Sequence, residues 1–437
     1  MGATLRPINL DALTALVGTA QVQTDFDAIW SARLEQALQP GCRVGAIVYP
    51  ETVTQLAAVV ALAAQQRWTL VPCGAGSKLD WGGLVGASEL LLLSTARLNR
   101  LIDHAVGDLT VTVEAGMRFA DLQATLAQAG QFLAIDPTYP EQATIGGIVA
   151  TADTNSGRQR YNSVRDMLLG IQFVRSDGQV AKAGGRVVKN VAGYDLMKLL
   201  TGSYGTLGVI TELTFRLYPL PAASQTIVLA GEATAIAQAA QTILSSALTP
   251  VGFDLVSTAV LPEFGLHQEL GLLVRFQSIL ASVEQQMLQV KTLGKSLQLQ
   301  VEPLNAEADQ WQQLAERMTI APPSCPIACK IGVRPTAAVT LLQEIARLVP
   351  TVRAQIHLSS GLGRLILPEV PAALLLHLRS RCEADGGFLS VLQAPVAVKQ
   401  AIEVWGTVGT ALPLMRQLKY QFDPEARLSP RRFVGGI

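Results

Sequence analysis

Residues 71–83 read VPCGAGSKLDWGG. Gly74, Gly76, Gly82 and Gly83 are glycine, Ala75 is nearly as small, and the run follows the apolar stretch WTLVPC at 68–73. Glycine lets backbone N–H groups converge and lets a ligand approach with no Cβ in the way. Successive N–H groups in such a turn form a concave anion site. One glycine turn is usually only a turn. Here two further glycine-bearing stretches accompany it, TIGGIVATADTNSG at 144–157 and LLTGSYGTLGVITE at 199–212. Three such loops in one domain, each flanked by strand-like sequence, point to a ligand cradle.

The common nucleotide signatures do not account for them. GAGSKLD lacks the third glycine of a dinucleotide fingerprint and runs on into Trp81 instead of a helix. LGKS at 293–296 imitates a phosphate-binding loop, but Gln289 stands where its first glycine belongs. Gly202, Gly205 and Gly208 keep a GxxGxxG spacing and then lead into VITELTF, a strand.

Outward from the turn, strand-like and helix-like stretches alternate. VGAIVYP (44–50), WTLVPC (68–73), ELLLLS (89–94), LTVTVEAG (109–116) and QFLAID (131–136) read as strands. Thr52 and Gln55 form a capping-box pattern opening the helix VTQLAAVVALAAQQ. RFADLQATLAQAG is a helix stopped at Gly130. MLLGIQFVRSDGQV predicts a hairpin around Ser176-Asp177-Gly178. Near residue 220 the texture becomes a string of Ala/Leu/Gln helices with isolated strands such as LGLLVRFQ. The fold class is α+β.

Composition bounds the function. The 437 residues carry zero formal net charge, and only 16% are charged, against about 25% in an ordinary globular protein. A surface short of charge fits either a partner subunit or a large well-buried monomer. Neutral balance, with no basic run beyond Arg431-Arg432, argues against nucleic acid. The N-terminus MGATLRPINLDALTALVG is a poor signal peptide. No window holds 18 uninterrupted apolar residues. A cytoplasmic protein is the expectation, at most peripheral to a membrane through partners. Cys42, Cys73, Cys325, Cys329 and Cys382 are scattered, and Cys325 and Cys329 lack the spacing and neighbours of a metal or iron–sulfur site. No metal is expected.

From VPCGAGSKLDWGG through TIGGIVATADTNSGRQRYNSVRDMLLGIQFVRSDGQV to GGRVVKNVAGYDLMKLLTGSYGTLGVITELTFRLYP, the chain resembles the FAD-binding domain of the vanillyl-alcohol oxidase / p-cresol methylhydroxylase (PCMH-type) family. The third block is most similar to FAD-binding subunits of glycolate oxidase (glycolate dehydrogenase). The resemblance implies an N-terminal segment at 1–39 and a PCMH-type FAD-binding domain of two α/β subdomains at 40–220. An α+β cap follows at 221–399, and 400–437 returns to the FAD domain. It also implies a role for each block. The turn after Pro72 (Gly74, Ala75, Gly76, Ser77, with Lys78 the nearby cation) would donate backbone N–H groups to the FAD pyrophosphate, so that a branched residue at Gly76 would block its approach. Trp81 and Gly82 would follow the cofactor toward the flavin. Thr144, Gly146 and Gly147 would line the other side, with Thr151, Asn155, Ser156 and Gly157 near the ribityl, pyrophosphate and ring. Gly208, Val209 and Ile210 would meet the adenine. Where some relatives carry a flavin-linked histidine this chain has Ser77, so FAD is expected to be non-covalent, with Cys73 a small buried hydrophobe.

Oxidising a 2-hydroxy acid needs a cation for the carboxylate, a base for the hydroxyl proton and a C–H over the flavin. Related dehydrogenases carry an HxGDGNxH metal motif. His357 opens HLSSGLGR, which has that shape without the Asp, Asn and second His. Catalytic residues are not assignable from sequence. Arg334 and Arg364 are candidate anion holders, and Lys419 and Arg432 candidates to approach the cofactor. The tail QFDPEARLSPRRF resembles the family's FDP…NPG segment, with Ser429 and Arg431 where Asn and Gly are usual. The implied partners are a small 2-hydroxy acid, a second flavin subunit and an iron–sulfur subunit. The chain is either the catalytic dehydrogenase or a flavin-bearing relay or structural subunit.

Overall fold

The computed structural model describes residues 7–186, 193–319, 326–407 and 409–437. Residues 187–192 of the third glycine block, and Cys325, lie outside these. The chain divides into two units: Met1–Asp153, Ser163–Pro219 and Thr407–Ile437 form the first, Thr154–Asn162 and Leu220–Gly406 the second.

In the first unit, β1 (Val22–Gln23), β2 (Arg43–Val48), β3 (Thr69–Cys73) and β4 (Glu89–Ser94) form a sheet of order β1-β2-β4-β3. Strands β2 and β3 both run parallel to β4. Alternate leucines of β4 enter different apolar clusters, Leu91 and Leu93 one, Leu90 and Leu92 the other. A strand buried on both faces reads as a continuous apolar run for this reason. The crossover helix Val53–Gln66 buries Leu56, Val59, Val60 and Ala63, a single stripe at helical spacing. Its Thr52 Oγ1 accepts from Gln55 N at 3.1 Å, while the Gln55 side chain returns to Glu51 N at 2.9 Å. The reciprocal pair thus closes one residue earlier than in a capping box.

Strands β5 (Leu101–Ala105), β6 (Thr110–Glu114), β8 (Leu168–Val174), β9 (Val180–Gly184) and β10 (Val209–Arg216) form an antiparallel sheet of order β5-β6-β10-β8-β9. The predicted hairpin is the β8–β9 turn, where Gly178 has φ +86°. Only Gln131–Phe132 of QFLAID is a strand, β7, and it pairs with β11 (Tyr218–Pro219). TIGGIVAT is not a loop: Ile145–Thr151 is a helix capped by Thr144.

The second unit is built on β12 (Ala223–Gly231), β13 (Gly252–Ser257), β14 (Leu270–Ser278), β15 (Gln300–Pro303), β16 (Ile327–Gly332), β17 (Arg353–His357), β18 (Leu362–Leu367) and β19 (Phe388–Gln393). These are not isolated strands. They join in one antiparallel sheet of order β15-β12-β14-β13-β17-β18-β16-β19. One face, including Leu229, Phe253, Leu272, Ile356 and Cys329, packs under helices such as Ala233–Leu244 and Ala338–Leu348. The other face carries a smaller apolar cluster with Val256, Leu273, Ala328 and Ile366. Interrupting it are Asp254, Gln355 and His357, all buried. No helix among the described residues is long and apolar enough to cross a membrane.

Candidate functional site

A cleft in the first unit is lined by residues from all three glycine-bearing stretches. The turn leaving β3 forms one wall. Its carbonyls are tied to protein: Ser94 Oγ donates to Gly74 O at 2.8 Å, Arg33 Nη1 to Ala75 O at 2.6 Å and Leu79 N to Gly76 O at 3.2 Å. The N–H groups of Gly74, Ala75, Gly76 and Ser77 donate to no protein acceptor among the described residues. A turn with bound carbonyls and open amides is a donor cradle for an anion.

The glycines make this geometry by close packing. A Cβ at Gly74 would lie 2.0 Å from Thr144 Oγ1. At Gly76, φ is +73° and a Cβ would meet the Trp30 ring at 2.8 Å. A side chain there would first collide with Trp30, which corrects the expectation that it would only fill the ligand's approach.

The helix Ile145–Thr151 forms a second wall. It buries Ile145, Ile148 and Val149 and turns Gly147, Ala150 and Thr151 to the cleft, as i, i+3 and i+4 on a helix require. Gly146 permits the helix to seat on Ala115, whose O accepts its N–H at 2.7 Å. The third wall runs from Tyr204 and Gly205, both at left-handed φ (+53° and +73°), to Gly208, Val209 and Ile210 where β10 begins.

No carboxylate lines the cleft, and its charges are cationic. Lys78 is buried, with Nζ 2.8 Å from Asp153 Oδ2. Asp153 also accepts from Thr138 N at 2.8 Å and Thr138 Oγ1 at 2.9 Å. Arg432 Nη2 donates to Lys78 O at 3.0 Å and Leu79 O at 3.1 Å, and its guanidinium lies 5.8 Å from the Tyr204 ring centre. Burial lowers the Arg432 pKa below the ordinary arginine range. Cys73 also lines the cleft, and burial pushes its thiol up to about 12, so it is not a thiolate at neutral pH.

The C-terminal tail clasps the same turn from outside. Leu70 N donates to Arg427 O at 2.9 Å and Ser429 N to Leu70 O at 2.8 Å. Gly83 N donates to Arg432 O at 3.0 Å and Gly86 N to Pro430 O at 3.1 Å. Ser429 and Arg431 hold left-handed φ of +46° and +66°, the conformation Asn and Gly tolerate best. Lys419 does not line the cleft. Its Nζ donates to Thr206 O (2.8 Å), Leu428 O (2.9 Å) and Asp423 Oδ2 (2.7 Å), pinning the tail to the Thr206 turn.

The structure thus gathers Pro72, Gly74, Ala75, Gly76, Ser77 and Lys78 with Thr144, Gly146, Gly147 and Thr151, and with Gly208, Val209 and Ile210. Trp81 and Gly82 are buried but do not line the cleft. Asn155, Ser156 and Gly157 belong to the second unit. Tyr204, Gly205 and Ala150 were not singled out from sequence. The glycine spacing of 202–208 pointed at the first two, and the helical period from Gly147 would have found Ala150.

In the second unit, Asp254 faces His357 across the β13–β17 register, with Oδ1 2.6 Å from His357 Nδ1. Its Oδ2 accepts from Ser156 Oγ at 2.5 Å and Gln355 Nε2 at 2.9 Å. Arg364 stands opposite Gln355 in the next strand, and Arg334 is exposed. No group of three or more His, Cys, Asp or Glu among the described residues is placed to hold a metal.

Small lining residues, open backbone donors and cationic side chains fit an elongated anionic ligand such as a dinucleotide. Residues 44–184 match the FAD binding domain family. The chain is 29% identical to glycolate oxidase subunit GlcD of Bacillus subtilis (strain 168), over 54% of this chain and 50% of that protein. It is 35% identical to D-2-hydroxyglutarate dehydrogenase of Xanthomonas citri pv. viticola, over 42% and 39%. To glycolate oxidase subunit GlcE of Escherichia coli (strain K12) it is 38% identical, over 37% and 46%. The matches thus span half or less of those relatives' lengths. The structure of substrate-bound p-cresol methylhydroxylase superposes with a TM-score of 0.73, covering 97% of this chain and 95% of that one at 14% identity. That likeness concerns the fold.

Proposed function

We propose that this chain, whose residues 44–184 are an FAD-binding domain on the PCMH-type fold, is an FAD-dependent oxidoreductase for a small 2-hydroxy acid such as glycolate, working as a subunit of a larger complex. The observation that carries the reading is the row of open amides at Gly74–Ser77, with bound carbonyls behind it. These amides would hold the pyrophosphate of FAD. Gly146, Gly147 and Thr151 would form the facing wall, and Val209 and Ile210 the far end. Residues 40–220 then act as the FAD domain, 221–399 as the cap, and 400–437 as a returning segment.

Bound FAD supplies a two-electron acceptor, which the side chains themselves do not provide. FAD would be held non-covalently: Ser77 stands at the linking position, and burial keeps the Cys73 thiol protonated at neutral pH. The substrate class rests on what the relatives' names share, a carboxylate beside a hydroxyl-bearing carbon. Work in a complex is supported by relatives named as glycolate oxidase subunits, and the partners we propose are a second flavin subunit and an iron–sulfur subunit. Those names also favour a second reading, a flavin-bearing relay subunit.

The test is an anaerobic absorption spectrum of the purified protein, with acid precipitation as a control. Flavin bands that move to the supernatant mean non-covalent FAD. Bleaching by glycolate, D-lactate or D-2-hydroxyglutarate supports the oxidoreductase, since this half-reaction needs no electron acceptor. Bands that bleach only when partner subunits are added favour the relay. Protein that takes up no FAD refutes both.

A further inference from the structure

The C-terminal tail of the first unit is seated at a cost. Ala426, Ser429 and Arg431 hold left-handed φ of +49°, +46° and +66°, and none is glycine. Such conformations persist only where surrounding contacts over-determine them, and they cluster at ligand clamps and switch segments. Ser429 Oγ, Asp423 Oδ1 and Arg427 Nη1 are buried with no hydrogen-bond partner among the described residues, each a further penalty. Lys419, Arg427 and Arg432 are all buried, and the buried carboxylate beside them in the tail is Asp423. Glu425 is exposed and pairs with Arg427 at 3.1 Å, and Asp80 adds an attraction to Arg432. Burial lowers the Lys419 pKa; Asp423 opposes that shift and Arg427 adds to it. The docked tail thus buries more positive charge than negative.

This seat joins two walls of the cleft. Through Leu70, Lys78, Leu79, Gly83 and Gly86 the tail holds the strand and turn of the first wall. Through Lys419 it holds the Thr206 turn of the third. Arg432 itself lines the cleft, which has no carboxylate. An anion there is attracted by Arg432, more strongly beside a buried guanidinium than in bulk water.

We propose that the tail from Asp423 to Ile437 is a latch closed by the cofactor. An anionic ligand in the cleft offsets the charge that the docked tail buries, and the docked tail holds the turn's amides for that ligand. This inference rests on the reading of the cleft as an FAD site. Without ligand the strained tail lifts from β3 more often; with ligand it stays down. Linkage makes the effect reciprocal: the factor by which FAD favours docking is the factor by which docking favours FAD.

The experiment is amide hydrogen exchange on the whole chain, empty or loaded with FAD, ADP or riboflavin. The reporters are the amides of Leu70, Gly83, Gly86 and Ser429, which are bonded across the tail's seat. None of these residues lines the cleft, so their protection reads the tail and not direct cover by the ligand. FAD should slow them roughly 5- to 150-fold, the usual range of coupling between sites, and leave the β12–β14 ladder unchanged. At equal occupancy ADP, which carries the pyrophosphate, should slow them too, and neutral riboflavin should not. Ser429→Pro deletes the N–H given to Leu70 O and cannot adopt φ +46°, so FAD affinity should fall by up to the same factor. If that variant does not fold, Arg431→Gly keeps the test open: it relaxes the strain, so it should protect the seat in the empty protein and shrink the effect of FAD. A chain that binds FAD with these amides equally protected, loaded or empty, overturns the latch and leaves the FAD site standing. So does riboflavin matching ADP, or a slowing spread equally over the β12–β14 ladder. A chain that binds neither FAD nor ADP refutes the FAD site and the latch with it.

Discussion

Gly74→Ala tests whether the cleft is built as described. The φ of Gly74 lies outside the left-handed region, so the substitution costs contact and not backbone strain. The new Cβ would sit 2.0 Å from Thr144 Oγ1 and 2.9 Å from both Thr144 Cβ and Cγ2. Rotating Thr144 moves Oγ1 and Cγ2 but leaves its Cβ in place, so the clash is not relieved by a rotamer change. Rotation would also withdraw Oγ1 from Gly147 N, which it caps at 3.3 Å. Losing a cap costs about 1 kcal/mol, and overpacking about 1–3 kcal/mol. The total, about 2–4 kcal/mol, corresponds to roughly 30- to 700-fold in FAD affinity if it falls on the bound state.

Two assays separate the possibilities: flavin fluorescence for the FAD dissociation constant and urea unfolding of the apoprotein for stability. Thr144→Gly removes all three offending atoms at the expense of the cap. The double variant Gly74→Ala/Thr144→Gly should therefore lose less than the two single variants together, with a coupling of about 1–3 kcal/mol. Simple additivity would refute the claim that the first two glycine blocks interlock at this point.

Arg431→Gly should raise stability by about 0.5–1 kcal/mol, because the left-handed φ of +66° strains a residue with a Cβ and glycine relieves it. A lowered melting temperature would refute the assignment of strain. Cys73, Cys329 and Cys382 each have thiols raised by burial from 9.0 to about 12. A folded pKa above the unfolded one means stability that is complete below about pH 9 and lost as pH rises toward 12. The expected loss is about 1 kcal/mol per thiol at pH 10. Urea titrations from pH 8 to 10 should show it, with Cys73→Ala showing a shallower decline. A flat profile would contradict buried, protonated thiols.

Much of the first unit was legible because its signals are local. The crossover helix shows a helical apolar stripe between two apolar strands. The β8–β9 hairpin has Asp177-Gly178 at its turn, and the turn at 74–77 is marked by its own glycines. TIGGIVAT misled because two adjacent glycines suggest a loop, whereas Thr144 capping and the burial of Ile145, Ile148 and Val149 outweigh their poor helix propensity. The eight-stranded sheet was not legible, since its neighbours are mostly not consecutive in the chain and register is a property of pairs. The Asp254–His357 contact joins residues 103 apart, and Ser156–Asp254 residues 98 apart. Nothing near His357 in sequence announces its carboxylate. Trp81 and Gly82 were assigned by continuity with the turn before them, but the tail takes their neighbour Gly83 through Arg432 O.

The charges of the cleft explain why a neutral turn carries the recognition. Lys78, the obvious counter-ion from sequence, has its ammonium 2.8 Å from Asp153 inside the protein. That pair is nearly neutral as seen from the cleft. Arg432 keeps its charge but binds the carbonyls of Lys78 and Leu79, so it braces the turn as well as facing the ligand. Exchanging Arg432 for lysine would keep the charge and lose the planar donor that spans two carbonyls, and the two residues are not equivalent at such a site. What remains for the anion is the set of four amides, fixed by the carbonyl bonds behind them. Their partial charges cost little to bury compared with a full cation, and they need no counter-charge when the site is empty. The tail is therefore more than a cover: by holding β3 through Leu70 and the turn through Arg432, it keeps those amides aimed.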